Sequence, residues 1–172
     1  MNTVDHLMEF YSMAQKTNVF REQELKILKE LLESSENPLT GYILFKEKVF
    51  SKASGFAIIG KTPCTTNTWD IYWLVVSPEC QGKGIAQNLI KQIESYLLAA
   101  LEFAVLRVET SSTDAYCKAR AFYVKQGFVL SGTIKDFYME NDDLLTYSKK
   151  IKITESIPEN QKQSLPICSQ LT

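Results

Sequence analysis

Residues 69–76 constrain the fold more than any other stretch of this chain. Trp69, Ile71, Tyr72, Trp73, Leu74, Val75 and Val76 are almost continuously apolar or aromatic, the pattern of a strand covered on both faces rather than one with a wet side. Ser77-Pro78-Glu79-Cys80 breaks the strand. Gln81-Gly82-Lys83-Gly84 then opens a helix whose apolar positions, Ile85, Ala86, Leu89, Ile90, Ile93, Leu97 and Ala100, recur at helical spacing. A buried strand that runs through a glycine turn into an amphipathic helix belongs to a layered α/β or α+β domain with a mixed sheet.

The flanking sequence fits that layer. Residues 4–16 place Leu7, Phe10, Tyr11 and Ala14 on one helical face, and Arg21 to Ser34 repeats the period with Leu25, Leu28, Leu31 and Leu32. Pro38 and Gly41 end that helix. Tyr42 to Phe45 and Gly55 to Ile59 are short apolar runs that suit a hairpin, and residues 60–67 read as a loop. Ala104 to Thr110 predicts a strand, Asp114 to Gln126 a helix with Gly127 as its left-handed cap, and Phe128 to Ile134 and Leu144 to Ile153 two final strands. At 172 residues one domain is expected, over residues 1–153, followed by a polar, mobile tail over 154–172.

Composition narrows the function. With 19 basic against 20 acidic side chains the formal charge is −1, which offers no electrostatic reason to expect nucleic acid or an anionic membrane. No apolar run approaches the roughly 18 residues of a membrane span, and the first residues lack a secretory pattern, so a cytoplasmic protein is expected. Cys64, Cys80, Cys117 and Cys168 contain no Cys-x-x-Cys pair, which argues against a zinc site or a disulfide framework. His6 is the sole histidine, too near the chain end to anchor a nucleophilic triad. No metal is expected.

Gly82 and Gly84 let main chain approach a bound group, and the amides entering the following helix are unpaired donors at the positive end of its dipole. Such a turn suits a phosphate or diphosphate. The same glycines also suit an ordinary turn capping a core helix. A Walker loop fails, because no Lys followed by Ser or Thr comes at the required place, and the dinucleotide fingerprint fails for want of its third small residue in register.

Residues Val75-Val76-Ser77-Pro78-Glu79-Cys80-Gln81-Gly82-Lys83-Gly84-Ile85-Ala86 resemble the acetyl-coenzyme A signature of the GNAT acetyltransferase superfamily, with Gln81, Gly84 and Ala86 at its defining positions. The resemblance continues through Arg107-Val108-Glu109-Thr110 and through the helix ending Ala121-Phe122-Tyr123-Val124-Lys125-Gln126-Gly127-Phe128. It implies a GNAT-like, mixed but mostly antiparallel central sheet with helices on both faces. It implies transfer of an acetyl group from acetyl-coenzyme A, as co-substrate, to a primary amine. The coenzyme would lie on Leu74, Val75, Val76, Gln81, Gly82, Lys83, Gly84, Ile85 and Ala86, with the Val76 amide as oxyanion donor and Tyr123 protonating the departing sulfur. Asp70 and Glu109 are the two candidates for the base.

Each assignment has a plainer counterpart. Tyr123 could be a core aromatic, and Asp70 and Glu109 could be sheet-end charges paired with Lys or Arg. Two departures from the family stand out: Tyr116 occupies the place where the family often carries a coenzyme-contacting Asn, and only four residues precede Asp5, so the family's first strand is expected to be short or missing. A small-molecule amine is the expected acceptor, since near-neutral charge provides no acidic trough for a basic protein tail. A homodimer is left open. The competing readings are an inactive coenzyme A binding sensor or scaffold, and a nucleotide-binding domain.

Overall fold

The computed structural model describes residues 3–50 and 52–153; the tail expected over 154–172 lies outside them. Helices α1 (Thr3–Lys16) and α2 (Glu22–Ser35) come first, then strands β1 (Tyr42–Val49), β2 (Lys52–Lys61) and β3 (Thr68–Val76). Helix α3 (Ile85–Leu98), strand β4 (Phe103–Ser111), helix α4 (Cys117–Lys125) and strands β5 (Val129–Met139) and β6 (Asp142–Lys152) follow, with single 3-10 turns at 38–40, 78–80 and 114–116.

The six strands form one sheet in the order β1-β2-β3-β4-β6-β5, antiparallel throughout except between β3 and β4. No strand among the described residues precedes Tyr42, so β1 is an edge. None of the described helices is long and apolar enough to cross a membrane.

Alternation along the strands divides the core in two. Ala57, Ile59, Ile71, Leu106 and Val108 pack with Ile85, Leu89, Ile90, Ile93 and Leu97 of α3 and with Tyr123 of α4. On the opposite face Phe56, Ile58, Trp73 and Val75 pack with Phe10, Met13 and Ala14 of α1 and Leu28 and Leu32 of α2. Leu89 is fully buried at the centre of the α3 layer. Leu89→Ala is expected to cost about 2–5 kcal/mol, the range for a leucine truncated in a close-packed core, read as a lowered urea midpoint with little change in slope.

Several boundaries differ from expectation. Both strands of the first hairpin are longer, because Lys46, Lys48, Lys52 and Lys61 lie at its ends or exposed side, where polar residues do not interrupt pairing. The helix expected from Asp114 to Gln126 divides into a 3-10 turn and a shorter α4. Strand β5 runs on through Asp136 at φ 52°, and Asn141 at φ 63° makes the turn into β6.

Candidate active site

Strand β3 contains one extra residue. Ile58 pairs with Trp73 and Ile59 with Ile71, which leaves Tyr72 as a bulge. A bulge bends its strand and raises the local twist. Pairing of β3 with β4 is limited to Thr68 with Val105, Trp69 with Leu106 and Asp70 with Arg107, and it stops there, just ahead of the bulge at Tyr72. Strand β4 stays paired to β6 as far as Ser111. The two neighbours therefore part, leaving a gap between Ile71–Val76 and the end of β4.

The direction of the main chain in that gap follows from the ladder on the other side. The Ser77 N–H donates to the Ser54 carbonyl at 2.9 Å, and Gly55–Val76 and Ala57–Leu74 are the next alternate registers. Antiparallel pairs alternate between bonded and non-bonded, so Leu74 and Val76 present their N–H and C=O groups away from β2, into the gap. These groups form a half-ladder open to an extended, amide-bearing chain.

The glycine turn adjoins the open end of the gap. Gly82 and Gly84 have φ of +75° and +82°, and a Cβ built on either would meet no atom within 4 Å. Left-handed backbone and empty space together identify a turn whose outer face is not filled by side chains. No side chain caps α3, its first turn carries no acid, and Gly84 accepts the Asn88 N–H at 2.9 Å as the helix begins. The amides ahead of Asn88 are the donors that an anion at a helix start uses.

Gap and turn open into one cavity of about 820 Å³. Leu74, Val75, Val76, Gln81, Gly82, Gly84, Ile85 and Ala86 line it, whereas Lys83 does not. Tyr123 lines it from α4, only 7% exposed, against Phe122, Phe128 and Tyr147. Burial raises its phenol above the ordinary value of 10, and its hydroxyl has no hydrogen-bond partner among the described residues. Cys80 and Cys117 also border the cavity as free thiols.

The two candidate carboxylates are separated by function of place. Glu109, on β4 beyond the parting, lines the cavity with its side chain 42% exposed. Asp70 sits at the last β3–β4 pair and is not part of the lining; its carboxylate accepts the Arg107 Nε–H at 2.5 Å and the Thr62 hydroxyl at 2.8 Å. Arg107 also reaches Glu109, Nη1 to Oε1, at 3.4 Å. Glu109 and Tyr123 both line the cavity, and Asp70 lies outside the lining, paired with the arginine that also reaches Glu109.

The far end of the cavity was not legible beforehand. Arg21, in the α1–α2 connection, pairs through Nη2 with Asp142 at 2.5 Å, and its guanidinium lies 5.7 Å from the Tyr138 ring centroid. Asp142 is 1% exposed and also accepts the Ser111 hydroxyl at 2.5 Å. Glu24 accepts the Arg21 backbone N–H at 2.7 Å and the Tyr116 hydroxyl at 3.2 Å. Tyr116 thus turns toward α2; burial and then the Glu24 charge push its phenol up. Arg21 and Glu24 carried only the signature of a helix start, and pairings 121 and 92 residues apart leave no local trace.

The chain is similar to known proteins. The chain is 32% identical over 79 residues to an uncharacterized N-acetyltransferase of Methanocaldococcus jannaschii, a match covering 45% of this chain and 48% of that protein. It therefore spans about half the length of the curated relative it matches. A crystallised GNAT-family protein from Desulfovibrio desulfuricans superposes with a TM-score of 0.77 at 27% identity, over 84% of this chain and 92% of that one. The ribosomal-protein-S18-alanine N-acetyltransferase of Escherichia coli shares the fold, with a TM-score of 0.70 at 19% identity over 91% and 94% of the two chains. Residues 4–128 match the acetyltransferase (GNAT) family itself. A parted β3–β4 pair beside an uncapped helix start, with that family match, makes this chain a member of the GNAT family of N-acetyltransferases.

Proposed function

We propose that the protein moves an acetyl group from acetyl-coenzyme A directly to the primary amine of a small molecule. The observation that carries this reading is the continuity of the parted strands with the glycine turn in a single cavity. The residues fit the donor: the amides from Gly82 to Gln87 suit its diphosphate, and the outward N–H and C=O groups of Leu74 and Val76 suit the amides of its pantetheine arm. Lys83 would add charge near the turn from outside the lining.

Chemically, the acceptor must present a neutral nitrogen. Glu109 takes the proton that the amine sheds, directly or through one water, and Asp70 with Arg107 holds the local geometry rather than acting as base. The nitrogen forms a bond to the carbonyl carbon, and the Val76 N–H stabilises the negative charge that gathers on the carbonyl oxygen. The carbon–sulfur bond breaks, and the sulfur takes the Tyr123 hydroxyl proton. Tyrosine is then reprotonated with the proton that Glu109 releases, so the products are an amide and free coenzyme A thiol.

Glu109→Gln is expected to lower kcat by about 10²-fold at neutral pH, with partial recovery as pH rises and the amine deprotonates without help. Asp70→Asn should instead lower thermal stability, through the loosened Arg107, with a smaller loss of kcat. Thiol release from acetyl-coenzyme A, followed across pH for both variants with a panel of primary amines, checks this. The reverse ranking would make Asp70 the base.

A further inference from the structure

We propose, resting on the acetyl-transfer reading, that the acceptor carries a second cationic group besides the reacting amine, and that Glu24 is the specificity residue that receives it. The acceptor class is then a diamine or polyamine.

The charged side chains lining the cavity are Arg21, Glu24, Glu109, Asp114, Lys118 and Lys125. The two lysines come from α4, the helix that carries Tyr123, and Asp114 from the turn just before it. At the Arg21 end the single guanidinium is already committed, to the buried Asp142 and the face of Tyr138. Glu24 is bound differently: its partners, the Arg21 main-chain N–H and the Tyr116 hydroxyl, are neutral donors, and it makes no ion pair among the described residues. Its carboxylate feels the Arg21 guanidinium through space but makes no direct ion pair, and an ionised carboxylate has room for further donors beyond the two it has.

Burial first, and then the charges of Glu109, Glu24 and Asp142 opposed by Arg21, raise the neighbouring Tyr138 phenol. The same cavity is lined by Tyr123, a residue 7% exposed whose hydroxyl makes no hydrogen bond among the described residues and is free to meet a ligand. An ammonium group lying against Glu24 and the phenol rings of Tyr116 and Tyr138 would gain an ion pair and cation–π contacts, neither of which a neutral or anionic substituent obtains. Glu109 remains at the reacting nitrogen, so the two carboxylates divide the two amines between them.

The test uses the whole chain with acetyl-coenzyme A and a series of straight α,ω-diamines from three to six carbons, each beside the monoamine of equal length. The wild type should favour at least one diamine over its monoamine by about tenfold or more in kcat/KM, the scale of one hydrogen bond to a charged group. Glu24→Gln keeps an oxygen for the Arg21 N–H and Tyr116 hydroxyl, and it should bring that ratio toward one. Equal rates for diamine and monoamine in the wild type, or equal loss of both in Glu24→Gln, would overturn the inference while leaving acetyl transfer intact. Calorimetry of the same diamines with coenzyme A-loaded protein separates the remaining case. Tighter binding to wild type than to Glu24→Gln without any turnover would support the subsite and sink the catalytic reading, and binding that ignores Glu24 would sink the subsite.

Discussion

Gly84→Val should weaken coenzyme A binding by at least about 100-fold, equivalent to roughly 2.7 kcal/mol, while lowering folding stability by less. The separation is possible because the two costs have different origins. In the protein alone a Cβ at Gly84 meets nothing within 4 Å, so the main cost to the fold is the strain of a φ of +82°, about 1–2 kcal/mol for a residue with a Cβ. In the complex the same side chain stands where a diphosphate must approach the amides that start α3. Calorimetric titration of coenzyme A alongside urea unfolding gives both numbers, and parallel losses would show a glycine kept for the fold alone.

Tyr123→Phe has the second large expected effect, a fall in kcat of about 10²-fold with little change in the dissociation constant for coenzyme A or in thermal midpoint. The ring stays packed against Phe128 and Tyr147 in the variant, because the hydroxyl it loses bonds to nothing among the described residues. A buried phenol whose pKa stands above its ordinary value stays protonated throughout the working range, as a proton donor to a thiolate must. Steady-state thiol release with a saturating amine measures it. An unchanged kcat would return Tyr123 to the role of a core aromatic and move the sulfur's proton elsewhere.

The parts of this fold that were legible in the amino-acid order are those where a local pattern has few physical solutions. Trp69 to Val76 is too apolar for a half-wet strand, and two glycines before a helical period mark a turn at the helix start, although they alone leave an anion site and a plain cap both open. The eight lining residues among the nine expected for the coenzyme follow from that segment. What stayed hidden depends on pairing between distant strands. The bulge at Tyr72 leaves no mark in the sequence, because every neighbour from Ile71 to Val76 is apolar on either face and a shift in alternation is invisible there.

The two acids illustrate the same limit. Asp70 and Glu109 look equivalent as carboxylates near strand ends, and only the register of β3 against β4 shows that one lies before the parting and the other beyond it. Arg107 connects them, and its fork between Asp70 and Glu109 depends on side-chain geometry that spacing cannot supply. Tyr116 reads as a departure from the family's asparagine, yet its hydroxyl has a partner, Glu24, brought close only by the packing of α2 over the sheet.

A crystal structure of the protein with coenzyme A tests the central claim most directly. The diphosphate should rest on the main-chain amides of Gly82 to Gln87, the pantetheine arm should bond to Leu74 and Val76 as a short extra strand, and the sulfur should arrive within hydrogen-bond reach of the Tyr123 hydroxyl. Coenzyme bound elsewhere, or β3 and β4 closed against each other along their full length, would contradict it.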